Sequence, residues 1–258
     1  MQGQAERKNA VRLLSDSVIL HTAEDYMVQA VIFDMDGVLF DSERLSKVCW
    51  RRVAEKLHLP EDRVLKAADA ITGTNEQDSE RIMQEMLEDL DGFEYASLKA
   101  ESKALFKAEA KKGLPVKPGA HGILSALRKV GAAVGLATST DREDAERELQ
   151  DAGLLRYFTA TLCGDEVKRS KPDPDIFLRC CAKLGSSPAN TFVIEDSHNG
   201  VRAGFAGGFR TIMVPDLLPV TEEMRRKTEI ILPDLTETQR YLLLQMGIKD
   251  PDGPSSPD

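Results

Sequence analysis

Residues 31–42 read VIFDMDGVLFDS. An unbroken apolar run leads straight into Asp34, Asp36 follows two residues later, and Gly37 comes next. Consecutive Val, Ile and Phe with no polar alternation mark a strand buried on both faces, as in a parallel sheet covered by helices. We therefore expect a strand over Val28–Phe33. In an extended chain residues two apart share a face, so Asp34 and Asp36 are expected to point the same way from the strand's carboxyl end. Gly37 allows the backbone to turn away sharply behind them. Two like charges on a buried mount repel, so this stretch calls for a cation.

From about Glu43 the period changes from strand to helix. ERLSKVCWRRVAEKLHL places Leu45, Val48, Cys49, Arg52, Val53 and Leu57 on one helical stripe, with Trp50 most simply a core residue. Helical patterns continue through DSERIMQEMLEDL and EYASLKAESKALFKAEAKK, so residues 43–113 read as a helical cap that GLPVKPGA terminates. Strands and helices then alternate. AAVGLAT, YFTATLCG, TFVIED and RTIMVP read as strands; AHGILSALRKV, PDPDIFLRCCAKLG and NGVRAGFAGG read as helices. STDREDAERELQDAG reads as a helix that opens on a capping box at Thr140 and Glu143 and closes at Gly153. This alternation implies βαβ units, hence an α/β fold: a Rossmann-like core of parallel sheet flanked by helices, from residues 28–42 and 114–246, plus an inserted α-helical cap domain. Residues 1–27 read as an N-terminal extension, and the Pro/Ser/Asp-rich segment at 247–258 as a disordered tail.

The chain has 258 residues, long for one domain and suited to one domain with an insertion. Its 41% hydrophobic content permits a packed core, and a net charge of -9 argues against nucleic acid or an anionic membrane as partner. No apolar run approaches the roughly 20 residues of a membrane span, and the N-terminus makes a poor signal peptide. Cys49, Cys163, Cys180 and Cys181 have no metal-site or disulfide-framework spacing and are expected to be reduced. A cytoplasmic location is expected.

In open parallel sheets ligands bind beyond the carboxyl ends of the strands. The predicted strand ends deliver Asp34 and Asp36, Thr138 and Ser139, and Glu195 and Asp196; the loop before a helix adds Lys171. Four acids, two hydroxyls and one lysine thus converge on one rim. A hard divalent cation makes such a carboxylate cluster tolerable, and an all-oxygen donor set favours magnesium over zinc. Lys171 and the Thr138 hydroxyl are placed to hold phosphate oxygens. The rim therefore reads as a phosphoryl-transfer site, in which one aspartate can be a nucleophile and the other a general acid–base.

DMDGV followed by DS, then ATS, SKPDPDIF and VIEDSHNGVRAG, resembles the four ordered motifs of the haloacid dehalogenase (HAD) superfamily, in particular the branch of β-phosphoglucomutase and sugar-phosphate phosphatases. The resemblance implies that Asp34 attacks phosphorus to form an aspartyl-phosphate. Asp36 would protonate the leaving oxygen and then activate water. It further implies that Thr138 binds phosphoryl oxygens, with Ser139 beside it, and that Lys171 bridges phosphoryl group and nucleophile. Asp34, Asp196 and the Asp36 carbonyl would hold magnesium, and Glu195 would be a further ligand or support one. Where the mutase has a histidine soon after the first motif, DSERLSKVCW has none; where it has a cap arginine, this chain has Asn75 and Glu76. The loop Thr72, Gly73, Thr74, Asn75, Glu76 and Gln77 is the expected specificity segment. The expectation is a magnesium-dependent phosphatase that hydrolyses a small phosphomonoester, a sugar or polyol phosphate. A phosphosugar mutase and a non-catalytic phospho-ligand binder are the alternatives. The expected partner is a small phosphorylated metabolite, with the chain a monomer or weak dimer.

Overall fold

A computed structural model describes residues 28–71 and 76–248. The expectations on residues 1–27, on the loop 72–75 and the side chains of Glu76 and Gln77, and on the tail from 249 lie outside the described residues. Six strands form one parallel sheet in the order β3-β2-β1-β4-β5-β6. They are β1 (Ala30–Phe33), β2 (Ala133–Ala137), β3 (Ala160–Leu162), β4 (Thr191–Glu195), β5 (Arg210–Met213) and β6 (Ile230–Ile231). β1 is two residues shorter than the sequence implied. It is paired on both sides, Phe33 standing opposite Leu136 of β2 and Ile194 of β4. The strand order reverses there, so the carboxyl ends of β1, β2 and β4 lie side by side, the arrangement that opens a ligand crevice.

Both faces of the sheet are covered, which explains the unalternating apolar strands. On one face Val31 and Phe33 pack with Ile123, Leu124 and Leu127 of α5 (Ala120–Lys129), Leu149 of α6 (Arg142–Asp151) and Leu242 of α10 (Leu235–Gln245). On the other, Ile32 and Val193 meet Ile176, Phe177 and Cys180 of α7 (Asp175–Lys183) and Ala203 of α8 (His198–Ala206). α9 (Glu222–Lys227) buries Met224 beside Val201 and Met213. All four cysteines are free and buried.

Between β1 and α5 come α1 (Ser42–Lys56), α2 (Glu61–Ile71), α3 (Glu76–Leu87) and α4 (Tyr95–Ala110). They share a separate apolar cluster that includes Val53, Val64, Ala67, Met83, Leu87 and Leu98. The buried stripe of α1 is narrower than its sequence implied: Cys49 and Val53 are buried, Val48 is 37% exposed, and Arg52 pairs with Glu109 of α4 at 2.7 Å. The outgoing and returning chains run together at the hinge. Asp41 N–H donates to Pro115 O and Lys117 N–H to Leu39 O, both at 2.8 Å.

Two element boundaries differ for physical reasons. YFTATLCG yields only the three-residue edge strand β3, because Leu155–Tyr157 forms a 3-10 turn first. α6 begins at Arg142 with Asp141 at its N-cap, so Thr140 does not open a capping box. The Thr140 hydroxyl is drawn instead to the Asp36 carboxylate.

Candidate active site

The end of each central strand supplies one partner to Lys171. Its Nζ donates to Asp34 Oδ1 at 2.5 Å (after β1), to Ala137 O at 3.2 Å (end of β2) and to Glu195 Oε1 at 2.7 Å (end of β4). It also sits 4.8 Å from the centre of the Phe177 ring, within cation–π range. Lys171, Asp34 and Glu195 are all buried. Burial pulls the ammonium down, but Asp34 and Glu195 outweigh it and hold Lys171 above its usual range. Burial pushes the Asp34 carboxyl up to about 8 against the pull of Lys171, and Glu195 and Asp36 add to the rise. Asp196 is likewise pushed well up, first by burial and then by Glu195 and Asp34.

Asp34, Glu195 and Asp196 each offer an oxygen within 4.8 Å of the others. Three buried carboxylates around one ammonium leave excess negative charge, which a hard divalent cation fits. The three differ in what is free to bind it. Glu195 is already occupied: besides Lys171 on Oε1, its Oε2 accepts from Asp196 N, Ser197 N and Ser197 Oγ, each at 3.0 Å. Among the described residues no donor reaches the Asp196 carboxylate. Asp34 and Asp196 thus keep carboxylate oxygens that could take a cation, while Glu195 orients Lys171 and the start of α8. Gly37, at φ +75°, is required twice: for its left-handed backbone and because a Cβ there would stand 2.2 Å from Asp196 Oδ2.

Asp36 behaves differently from Asp34. Its Oδ2 accepts from Thr140 Oγ1 at 2.8 Å, and its side chain faces a cavity of about 600 Å³ together with Asp34, Lys171 and Asp196. Thr138, expected to touch phosphoryl oxygens, is fully buried behind this wall, its Oγ1 accepting the Thr140 N–H at 3.1 Å. The residues of that segment that line the cavity are Ser139 and Thr140.

The opposite wall comes from the cap. α1 contributes Glu43, Ser46 and Trp50, and α4 contributes Lys99, Ser102, Lys103 and Phe106. Trp50 therefore lines the cavity as well as packing against the cap cluster. These residues were missed in the sequence, although the spacings 43, 46, 50 and 99, 102, 103, 106 each define one helical face. The usable signal was that α1 starts directly behind the loop that carries Asp34 and Asp36, which forces its first turns over the strand ends. Burial, with Asp36 and Asp216, pushes Glu43 up to about 7.

Comparison with known proteins agrees with this geometry. A phosphorylated carbohydrates phosphatase of Thermotoga maritima is 36% identical over 187 residues, covering 72% of this chain and 84% of that protein. The fructose-1-phosphate phosphatase YqaB of Escherichia coli is 32% identical over 188 residues, covering 71% and 95%. The solved structure of a β-phosphoglucomutase from Clostridium difficile superposes with a TM-score of 0.69 at 21% identity, over 86% of this chain and 98% of that one, a likeness of fold. With the haloacid dehalogenase-like hydrolase family model matching residues 28–208, and the sheet order and strand-end residues in place, the chain belongs to that family of hydrolases.

Proposed function

We propose that the protein is a magnesium-dependent phosphatase that hydrolyses small sugar or polyol phosphates. The observation that carries this reading is that Asp34 and Asp36 face one cavity while only Asp34 is clamped by Lys171, at 2.5 Å. Two carboxylates two residues apart are thereby given separate duties. An Asp34 oxygen attacks phosphorus, the ester P–O bond breaks, and Asp36 gives its proton to the departing alkoxide. Asp36, now ionised, takes a proton from the water that attacks the aspartyl-phosphate; the bond from phosphorus to Asp34 breaks, phosphate leaves, and both aspartates return to their starting state. Lys171 holds Asp34 in line and offsets phosphoryl charge, with Ser139 beside the phosphoryl oxygens. Asp34, Asp196 and the Asp36 carbonyl would hold magnesium, which supplies further neutralisation of the phosphoryl oxygens. On the cap side Glu43, Ser46 and Ser102 offer the donors and acceptors that hydroxyl-bearing substrates need, and the two phosphatases above act on such esters by name.

The test is turnover of 4-nitrophenyl phosphate and of hexose phosphates with and without magnesium. Wild-type turnover that Asp34→Asn matches would overturn the proposal. One observation favours a second reading: α4 puts Lys99 and Lys103, one turn apart, on the cavity wall, where a second phosphate could be gripped as a mutase requires. Phosphorus NMR of β-glucose 1-phosphate separates the two, since a mutase yields glucose 6-phosphate and a phosphatase free phosphate.

A further inference from the structure

We infer that Thr140 is a positioning residue for the acid–base carboxylate of Asp36, an inference that rests on the phosphatase reading above. The bond from Thr140 Oγ1 to Asp36 Oδ2, 2.8 Å long, joins the loop after β1 to the loop after β2. Everything else about Thr140 is fixed. Its N–H donates to Thr138 Oγ1 at 3.1 Å, and Thr138 is fully buried. Its carbonyl accepts from Gly164 N–H at 3.0 Å. Gly164 in turn lies so close that a Cβ on it would stand 2.1 Å from Ser139 O, so this seam cannot slide. The Thr140 hydroxyl is therefore a donor at a set place.

The terminal torsion of an aspartate is broad and roughly two-fold, whereas a general acid must lie within hydrogen-bond reach of the atom it protonates. A fixed donor on Oδ2 removes that freedom. It also settles which oxygen does the work: with Oδ2 accepting from Thr140, Oδ1 carries the proton delivered to the leaving oxygen and later accepts the proton of the attacking water. Helix capping does not compete with this role, since Asp141 holds the N-cap of α6 and the Thr140 side chain bonds Asp36. Loss of the hydroxyl is accordingly expected to leave the fold intact.

The test compares kcat/KM, which reports on the step that expels the leaving group, for two classes of ester. One is whichever of glycerol 3-phosphate, fructose 1-phosphate and glucose 6-phosphate the wild type turns over best, whose alkoxide must be protonated. The other is 4-nitrophenyl phosphate, whose leaving group needs little proton help. Thr140→Val is expected to lower kcat/KM on the alkyl ester by about 10–100-fold, a part of the 10²–10⁴ that general acid–base catalysis supplies. On the nitrophenyl ester the loss should stay within about 3-fold, and Thr140→Ser should restore the alkyl ester to within about 3-fold of wild type. Equal losses on both esters, or no loss on either, overturn the inference. Asp34→Asn separates the two levels of the claim. If it retains wild-type turnover the phosphatase reading fails; if it is inactive while Thr140→Val is unimpaired, only the role of Thr140 fails.

Discussion

The Glu195 carboxylate fills the space where Gly200 would carry a side chain: a Cβ there would stand 1.8 Å from Oε1 and 2.3 Å from Oε2. Gly200 belongs to the first turn of α8, and Ser197 connects the two residues, accepting the Gly200 N–H and donating to Glu195 Oε2, both at 3.0 Å. The helix is thus packed directly onto the group that steadies Lys171. Replacing a helical glycine with alanine ordinarily gains about 1 kcal/mol. Here overlap with a buried carboxylate wins, and Gly200→Ala should cost about 1–3 kcal/mol, lowering the melting temperature by about 3–9 °C. It should also lower phosphatase activity, because Glu195 must shift and takes Lys171 with it. Calorimetry that shows a stabilised variant would contradict this packing.

Among the described residues Lys171 is the one cation bonded to Asp34 and Glu195, with Asp196 close by. Lys171→Met fits similar volume but leaves the buried carboxylates uncompensated, which should cost about 3–5 kcal/mol at pH 8 and above, where Asp34 ionises. Because burial and mutual repulsion already favour the protonated carboxyls, the loss should shrink as the pH falls and those groups take up protons. Urea midpoints at pH 8 and pH 5 check this. A destabilisation equal at both would show that Lys171 contributes packing and not charge.

Much of this was legible because the strand-end residues are contiguous with the apolar runs that define the strands. Asp34 and Asp36 follow Val31–Phe33, and Glu195 and Asp196 follow Phe192–Ile194, so once the strands are read the rim follows. What was illegible depends on three-dimensional competition. Thr140 sits three residues before a glutamate at a helix start and fits a capping box, yet Asp36, 104 positions away in the chain, takes its hydroxyl. Thr138 has the composition of a ligand and the burial of a core residue. The cap wall was missed because helical spacing tells which residues share a face and not which face turns toward the cleft. Placing Glu43, Ser46 and Trp50 opposite Asp36 needs the hinge geometry at Asp41 and Pro115.

Magnesium should stabilise the folded protein by relieving repulsion at Asp34 and Asp196. At ten times the dissociation constant, a ligand that binds only the native state adds about 1.4 kcal/mol. The melting temperature at pH 8 should therefore rise with magnesium and fall back on chelation, and Asp196→Asn should abolish the rise while itself melting no lower than the metal-free wild type, since it removes a carboxyl whose ionisation burial, Glu195 and Asp34 all oppose. Glu195→Gln should keep part of the rise, its oxygens being engaged by Lys171, Ser197 and backbone N–H groups. An undiminished rise in Asp196→Asn would remove Asp196 from the ligand set.

Glu148 gives a pH signature separate from the active-site carboxylates. It is a buried residue of α6, 6% exposed, whose Oε1 accepts from Arg147 Nη2 at 3.1 Å. Burial pushes its carboxyl from the ordinary 4.5 up to about 7, Asp36 adds to the rise, and Arg147 opposes it. The folded protein therefore keeps this proton until about pH 7, while the unfolded chain loses it near pH 4.5. Stability linked to the group is fully present below pH 4.5 and is lost as the pH rises to about 7, because the native state binds more protons over that window. Glu148→Gln mimics the protonated form at every pH. Its stability relative to wild type should rise by about 1–2 kcal/mol between pH 4.5 and 7.5, less than the full shift would give because Glu148 borders a cavity where water screens the ionised carboxylate. Guanidinium unfolding of both proteins across that range measures the difference directly, and a pH-independent offset would mean that Glu148 is ionised in the folded protein throughout.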